Sequence, residues 1–265
     1  MLLANKVAVI HGGGGAMGGA VARAFAREGA RVYLAGRTAA KLDAVATEIR
    51  AMGGAASTAV VDALDPQAVD AHTASVGAEA GRIDIALNAV GFAHVQGTPV
   101  LQLALADYLH PIDSYARCNF VTAKSIAAQM VTQQSGVILT MSTPGSRMAA
   151  PGIVGYCMTC AAVEVFTRVL AAELGPEGIR VLCLRPHATP EASAQGSHSQ
   201  EVFRPMAEAA GVTVAQMLAG AAEGTPLKRL PTLQQIAQTA VFLASDHAAA
   251  MTGTVANLSC GAVLD

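Results

Sequence analysis

The chain has 265 residues, 52% of them hydrophobic and 14% charged, and its formal net charge is −2 at pH 7. This length suits one α/β domain that buries about three quarters of its unfolded surface. The weak negative charge and the lack of a basic cluster argue against nucleic acid as a partner. No uninterrupted apolar run reaches the roughly 18 residues that span a bilayer, and the N-terminus lacks the pattern of a secretory signal, so we expect no membrane association.

The cysteines indicate a reducing compartment. There are five, an odd number scattered through apolar segments, so we expect reduced thiols in a cytoplasmic protein. Cys157 and Cys160 form a C-x-x-C pair, but a zinc site needs about four ligands and no second pair lies nearby. We therefore expect no metal. No linker or repeat divides the chain, so residues 1–265 are interpreted as a single domain.

A glycine-rich stretch after the first predicted strand indicates a phosphate-binding turn. Residues 7–10 are an apolar run, and residues 20–28 have the pattern of an amphipathic helix. Glycines let the backbone approach a pyrophosphate, and the helix N-terminus supplies free N–H groups. A tight strand–helix turn would need glycine in any case, so the motif alone is weak. The residues predicted to bind a cofactor here are Gly12, Gly14, Gly15, Ala16, Met17 and Gly18.

The end of the second predicted strand, residues 31–35, bears on the choice of cofactor. It is followed by Gly36, Arg37 and Thr38. NAD sites of this kind usually place an acid here, whereas a neutral residue followed by arginine suits the 2′-phosphate of NADP. We therefore favour NADP(H) over NAD(H), with Arg37 and Thr38 in the site. The alternative is a solvated arginine at the start of the helix predicted for residues 38–52, and the glycine turn contains no basic residue to support Arg37.

Two further strand ends extend the predicted cofactor site. Asp62 and Ala63 follow the third strand, residues 56–61, where a carboxylate can accept a hydrogen bond from an adenine amino group. Asp65 is expected only to cap the next helix. The fourth strand, residues 83–88, leads into small residues that let the backbone pass close to a cofactor, and its final asparagine is expected to tie neighbouring strand ends together. These residues are Asn88, Ala89, Val90 and Gly91.

The second half of the chain continues the alternation of strands and helices. We predict helices at residues 112–133, 153–174 and 232–245, and strands at 137–141, 180–184 and 254–258. Four βα units in a row imply right-handed crossovers, so the fold class is α/β, with a parallel sheet covered on both faces. The segment 187–231 breaks the pattern with weak helical stretches near 201–210 and 214–221. A connection this long is typical of a substrate-binding loop or lid.

A hydroxyl and a phenol mark the predicted reaction centre. Thr143 follows the fifth strand, and Tyr156 lies thirteen residues later at the start of a long helix. At this spacing the two side chains can meet over one substrate carbonyl, where they could hydrogen-bond the oxygen and pass it a proton.

In their order and spacing, these motifs resemble those of the short-chain dehydrogenase/reductase family from about Asn5 to Gly261. The resemblance implies an α/β fold with a doubly wound parallel Rossmann sheet of about seven strands, and a nicotinamide-dependent oxidoreductase. It assigns catalytic roles to Tyr156, Thr143 and Asn119, and places Pro186 and His187 beside the nicotinamide. It also implies a homodimer or homotetramer that pairs through the helices at 112–133 and 153–174.

The departures from the family pattern concern the site directly. His11, Ala16 and Thr143 stand where the family usually has threonine, glycine and serine, and His187 replaces a glycine. Cys160 stands where the resemblance implies a lysine that lowers the pKa of the tyrosine. An unperturbed tyrosine titrates near pH ~10 and a cysteine near ~8.5, so Tyr156 should stay protonated. A protonated phenol can donate during reduction, whereas alcohol oxidation requires the phenolate.

Our leading hypothesis from the sequence is an NADP(H)-dependent ketone reductase for a medium-sized, mostly apolar substrate. Tyr156 would donate the proton, Thr143 would orient the carbonyl, and Asn119 would support a water or backbone relay. The substrate would lie beneath residues 187–231, near residues 90–96, Met148 and Ile153. Two alternatives remain: a non-redox step such as cyclisation, dehydration or isomerisation, and a non-catalytic subunit. His94 and His187 are either pocket residues or structural hydrogen-bonding groups.

Overall fold

A computed structural model describes residues 1–195 and 197–264. All seven strands are parallel and form one sheet in the order β3-β2-β1-β4-β5-β6-β7. The predicted single-domain, doubly wound Rossmann sheet is therefore confirmed. The strands are β1 (Val7–His11), β2 (Arg31–Gly36), β3 (Ala55–Val60), β4 (Ile85–Asn88), β5 (Gly136–Met141), β6 (Ile179–Pro186) and β7 (Val255–Leu258).

Helices cover both faces of the sheet. They are α1 (Ala16–Arg27), α2 (Ala39–Ala51), α3 (Pro66–Ala80), α4 (Leu105–Gln133), α5 (Val154–Leu174), α6 (Pro190–Ala194), α7 (His198–Ala209), α8 (Val214–Glu223) and α9 (Leu233–Ala244). Successive residues of a strand point to opposite faces, so β1 divides its side chains between two cores. Ile10 packs with residues of α1, α2 and α9, whereas Val9 packs with residues of α3, α4 and α5.

Two helices begin earlier than the sequence predicted. Helix α1 starts at Ala16 rather than residue 20, so Gly18 and Gly19 lie inside it. Helix α4 starts at Leu105 rather than residue 112 and contains Pro111. Proline normally ends or kinks a helix because it lacks an N–H and its ring crowds the preceding turn. The sequence rule therefore placed the start of α4 just after a proline that the helix in fact includes.

The glycine turn joins β1 to α1 at close quarters. Gly12 has a φ of 80°, in the left-handed region, and a Cβ there would lie 2.6 Å from the carbonyl oxygen of Ala89. A Cβ at Gly18 would collide with the carbonyl oxygen of Gly12. Side chains at these two positions would therefore push α1 away from the ends of β1 and β4. The strand order reverses direction between β1 and β4, and open α/β sheets bind ligands at such a crevice.

The segment Val154–Glu177 is long and apolar enough to cross a membrane by length and composition, with a mean hydropathy of 1.4. Charged residues such as Glu164 and Arg168 interrupt it, which is why no uninterrupted apolar run was found in the sequence. In the fold this segment packs beside α4 and β6, and 39% of the window is buried. The helix therefore packs one apolar face into the core and presents another face to the outside.

Candidate active site

A cavity of about 640 Å³ opens at the carboxyl ends of the strands, between the glycine turn and the start of α5. Most of the predicted site residues line it, so the structure brings them together in one continuous cavity. Three do not: Gly18, Asn88 and Asn119. The predicted residues in its wall are Gly12, Gly14, Gly15, Ala16, Met17, Arg37, Thr38, Asp62, Ala63, Ala89, Val90, Gly91, Thr143, Tyr156, Pro186 and His187.

The glycine-turn end of the cavity fits a dinucleotide. A Cβ at Gly14 would lie 2.9 Å from the Cβ of Lys41, so the bare backbone leaves room for phosphate beside the N-terminus of α1. Positive partial charge at that terminus favours an anion. The exposed carboxylate of Asp62 accepts a hydrogen bond from the backbone N–H of Leu64 at 3.0 Å. These residues could hold the pyrophosphate and adenosine portions of the cofactor.

At the opposite end of the cavity, a hydroxyl, a thiol and a phenol meet. The Thr143 hydroxyl lies 3.1 Å from the Cys160 sulfur and accepts a hydrogen bond from the backbone N–H of Gly145 at 3.3 Å. Tyr156 occupies the first turn of α5, one turn before Cys160. Its ring lines the cavity and faces both side chains. The structure therefore brings Thr143, Tyr156 and Cys160 together, as the sequence predicted.

With this geometry in view, comparison with known proteins decides the family. Residues 14–262 match the family model described as "Enoyl-(Acyl carrier protein) reductase". The chain belongs to the short-chain dehydrogenase/reductase family. It is 31% identical to an uncharacterized oxidoreductase of Mycobacterium tuberculosis, over 98% of this chain and 92% of the relative. It is 30% identical to a D-threitol dehydrogenase of Mycolicibacterium smegmatis, over 95% and 90% of the two chains.

Solved structures agree with the assignment. A gluconate 5-dehydrogenase from Burkholderia cenocepacia, in complex with NADP and tartrate, has a TM-score of 0.84 and 25% identity, covering 98% of this chain and 96% of the other. NAD⁺-bound xylitol dehydrogenase has a TM-score of 0.85 and 24% identity, covering 98% and 100%, and so shows the fold. This short-chain dehydrogenase/reductase is thus an NAD(P)-binding oxidoreductase, and its similar structures include complexes of either cofactor.

The electrostatics of this oxidoreductase keep the phenol protonated. Burial raises the pKa of Tyr156 well above its usual value of 10, and Cys160 and Tyr115 raise it further, against a hydrogen bond with Thr143 that lowers it. Burial likewise raises the pKa of the Cys160 thiol to about 11. Both groups are therefore neutral at physiological pH, in agreement with the protonation state predicted for Tyr156.

Asn88 has a different role from the one predicted. Its amide nitrogen donates to the Thr122 hydroxyl at 3.2 Å and to the Cys118 sulfur at 3.3 Å, and its oxygen accepts from the backbone N–H of Val90 at 3.1 Å. It ties the end of β4 to α4 and to the next turn, not to neighbouring strand ends. The prediction of side-chain bonds between strands was wrong because this side chain points toward the helix layer.

Asn119 is buried on α4 but faces away from the large cavity. Its amide nitrogen donates to the carbonyl oxygen of Tyr115 at 2.9 Å, and its side-chain oxygen has no hydrogen-bond partner among the described residues. It lies with His11 beside a second cavity of about 10 Å³. The structure does not bring its side chain to Tyr156, so its part in a relay stays a prediction.

Several residues of the cavity wall were missed from the sequence. Lys41 and Arg23 lie at the same end as Arg37, although Arg23 is paired with Glu48 at 2.6 Å. Lys41 lies in the first turn of α2, four residues after Arg37, and a second basic residue so close to the strand end was the available signal. Tyr115 lies on α4, and no pattern in the sequence marked it. The others in the wall include Ser142, Gln195, His198, Val202 and Phe203.

The histidines of the wall are held neutral. Burial lowers the pKa of His187, and its Nδ1 accepts a hydrogen bond from the backbone N–H of Ala188 at 2.6 Å. Burial, together with the electrostatic cost of a second protonated imidazole beside His94, lowers the pKa of His198 to about 4. His187 lies in the cavity wall, and its place beside a nicotinamide stays a prediction. The carbonyl end of the cavity thus offers hydrogen-bonding groups without charge.

A buried ion pair supports the reaction centre from behind. Arg185 donates to the two oxygens of Glu164 at 2.7 and 2.9 Å, and both side chains are under 5% exposed. The Ser142 hydroxyl donates to Glu164 at 2.8 Å and lies 3.2 Å from the carbonyl oxygen of Cys160. Ser142 directly precedes Thr143, so this network joins β5, α5 and β6 at the site.

We expect Glu164→Gln to destabilise the protein by about 3–5 kcal/mol at pH 7, since it removes the carboxylate charge that faces the buried guanidinium of Arg185. Burial raises the pKa of Glu164, but hydrogen bonds from Arg185 and Ser142 outweigh it and hold the pKa below 4.5. The stability that Glu164 contributes is therefore present above its unfolded pKa and is lost as the pH falls through the lower folded pKa. Urea unfolding across pH 3–7 measures this.

The exposed pair of Asp113 and Arg117 on α4 provides the control. Asp113→Asn should change the free energy of unfolding by less than about 0.5 kcal/mol. The gap between wild type and Glu164→Gln should narrow below about pH 4.5. Equal stability of those two proteins at pH 7 would contradict this account of the ion pair.

Proposed function

We propose that this oxidoreductase reduces a ketone with NADPH, with Tyr156 as proton donor and Thr143 orienting the carbonyl. When bound, the reduced nicotinamide supplies the hydride that goes to the carbonyl carbon. The Tyr156 proton goes to the carbonyl oxygen, so a ketone becomes an alcohol, and the phenol regains its proton from solvent. The single observation that carries the proposal is the neutral pair of Thr143 and Tyr156 in one cavity with the glycine turn.

The protonation state of Tyr156 favours reduction over oxidation. A protonated phenol can stabilise and then protonate the oxygen as negative charge develops on it. Oxidation of an alcohol would require the phenolate, which burial disfavours here. Thr143 accepts from a backbone N–H and lies next to Cys160, so its hydroxyl is anchored close to Tyr156. Such fixed groups lower the barrier by holding the carbonyl in one orientation.

The preference for NADPH rests on Arg37 and Lys41. Both are exposed and line the cavity near the end of β2, and neither forms an ion pair with any residue in 1–195 or 197–264. Two unpaired cations can hold the extra phosphate of NADP through charge-assisted hydrogen bonds. Lys41 supplies the basic support for Arg37 that the glycine turn itself lacks.

The carbonyl end of the cavity suits an uncharged, mostly apolar substrate of medium size. Its wall combines Phe92, Met148, Ile153, Val202 and Phe203 with neutral hydrogen-bonding side chains. We propose that residues 187–231, which contain α6, α7 and α8, act as the substrate lid. A non-redox step or a non-catalytic role is not favoured, because the relatives that match this chain over nearly its full length are oxidoreductases.

We also propose that the protein is a cytoplasmic homo-oligomer that pairs through α4 and α5. An apolar stripe of exposed residues runs along α5 at helical spacing and includes Met158, Val165 and Val169. Leu109 and Phe120 are exposed on α4. Contiguous apolar surface of this kind is typical of an interface.

Replacement of Tyr156 tests the chemistry. Tyr156→Phe should lower kcat for NADPH-dependent ketone reduction by roughly 10²–10⁴-fold, because it removes the proton donor. Wild-type kcat should be flat from pH 6 to 9, since the pKa values of Tyr156 and Cys160 are raised. Absorbance at 340 nm with a panel of uncharged ketones measures both effects.

Cys160→Lys is the informative companion to this experiment. A cation beside the phenol should lower its pKa, introduce a pH dependence and increase alcohol oxidation. Thr143→Ser should retain most activity and Thr143→Val should lose it. NADPH oxidation that Tyr156→Phe leaves intact would remove this residue from the mechanism.

The cofactor preference has its own test. Arg37→Ala should weaken NADPH binding roughly 10- to 100-fold, the loss of one or two charge-assisted hydrogen bonds, and leave NADH binding unchanged. Fluorescence titration gives both dissociation constants. Arg27→Ala, on the last turn of α1 and outside the cavity wall, is the matched control. An equal loss of affinity for NADPH and NADH would show that Arg37 does not bind the 2′-phosphate.

The proposed interface predicts the behaviour of a surface variant. Val169 is 60% exposed on α5, and Val60 is 66% exposed on the edge strand β3. Val169→Asp should convert a dimer or tetramer to smaller species because it buries a charge in an apolar interface, whereas Val60→Asp should not. Light scattering with size-exclusion chromatography distinguishes them. A monomeric wild-type protein would overturn the proposal.

A further inference from the structure

His94 lies flat against the ring of Tyr156. The two ring centroids are 4.3 Å apart and the planes differ by 17°. His94 belongs to the loop after β4, and its side chain lines the same cavity. This stacking covers one face of the phenol to which the proposed function assigns the proton transfer. Sequence reasoning gave His94 no definite role.

Hydrogen bonds hold the imidazole in one orientation. Its Nδ1 lies 2.8 Å from the carbonyl oxygen of Phe92, and its Nε2 lies 2.8 Å from the amide nitrogen of Gln96. A carbonyl oxygen can only accept, so Nδ1 carries the hydrogen and Nε2 accepts from the amide. Both ring nitrogens are therefore occupied. Rotation of the ring off Tyr156 would break two hydrogen bonds.

The same two bonds exclude His94 as the proton donor of the reaction. Its one N–H is committed to the Phe92 carbonyl, so it cannot also donate to a substrate oxygen. Burial lowers the pKa of His94, which agrees with the single-hydrogen tautomer. A neutral imidazole with both ring nitrogens occupied can affect Tyr156 only by packing against its ring.

A second aromatic ring limits Tyr156 from another side. Tyr115 approaches it edge-on, with centroids 6.4 Å apart and planes at 66°. Tyr115 is itself fixed, because its phenol oxygen accepts from the backbone N–H of Phe92 at 3.1 Å and its ring packs edge-on against Phe92 at 5.0 Å. Edge-to-face and offset-stacked contacts of this kind are the preferred aromatic geometries.

We propose that His94 is a positioning residue for Tyr156, whose imidazole, anchored by the Phe92 carbonyl and Gln96, holds the phenol in the orientation for proton donation. The proposal rests on the proposed function, in which Tyr156 is the acid. Displacement of a reacting group by about 1 Å can cost 10²-fold in rate. The hydroxyl, thiol and aromatic side chains placed beside the phenol, those of Thr143, Cys160, His94 and Tyr115, are neutral. Packing on the ring therefore has to supply much of its orientation.

Three variants separate stacking from general packing. His94→Ala removes the ring and should lower kcat roughly 10- to 100-fold, while the NADPH dissociation constant stays unchanged. His94→Phe restores a flat ring without the hydrogen bonds and should recover most of kcat. Gln96→Leu removes only the outer hydrogen bond and should fall between wild type and His94→Ala. Circular dichroism and thermal unfolding show whether each variant folds. If His94→Ala does not fold, the kcat of His94→Phe serves as the test.

A spectroscopic readout makes the test independent of turnover. The chain has four tyrosines, so the ring signals of Tyr156 can be assigned in ¹³C-tyrosine-labelled protein by their loss in Tyr156→Phe. In the wild type, stacking should slow the ring flips and separate or broaden these signals. In His94→Ala the flips should become fast and the signals should average, while His94→Phe should resemble the wild type.

The outcomes distinguish the two proposals. If no ketone is reduced but the Tyr156 signals change as expected, the proposed function fails and the positioning of the ring by His94 stands. Unchanged Tyr156 signals in His94→Ala would overturn the positioning role, whether or not kcat falls. Changed signals with an unaltered kcat would also overturn it, because the orientation held by His94 would then not matter for the reaction.

Discussion

The reaction centre depends on a charge pair that no substrate touches. Arg185 and Glu164 meet between β6 and α5 at under 5% exposure, and Ser142 joins them from the end of β5. Buried ions of this kind are costly unless every partner is in place. An arrangement that separated these buried charges would be strongly unfavourable in free energy. The network therefore fixes the end of β5 relative to the first turns of α5. The relative positions of Thr143 and Tyr156 depend on this network, because Thr143 follows β5 and Tyr156 lies in the first turn of α5.

The charged and the neutral side chains of the cavity lie at opposite ends. Unpaired cations, Arg37 and Lys41, lie at the end formed by β2 and α2, whereas the side chains around Tyr156 are neutral. Attraction for an anionic cofactor therefore acts at a distance from the carbonyl. A cation close to the phenol would lower its pKa and promote the phenolate. Burial instead keeps the proton on Tyr156, and the proposed ketone reduction is the half of the redox chemistry that a neutral acid can assist.

The sequence revealed those parts of the fold and site that local patterns determine. Strand ends, the glycine turn and the pairing of Thr143 with Tyr156 follow from short-range spacing, and the structure places them as predicted. The start of α4 was wrong because Pro111, a local signal for a boundary, is accommodated by packing. Asn88 was misread because the direction of a side chain at a strand end depends on which helix covers it. The stacking of His94 on Tyr156 joins distant segments, and no periodicity within either segment encodes it.

The two helices proposed to form the interface also carry the reaction centre. Helix α5 presents Tyr156 and Cys160 to the cavity and Val165 and Val169 to the outside, and α4 presents Tyr115 inward and Phe120 outward. Burial of the outer stripes between protomers would restrain both helices along their lengths. That restraint would reduce the motion of the Tyr115 and Tyr156 rings, since these two rings are attached to the same helices. Association would then improve the order of the site without placing any partner residue in it.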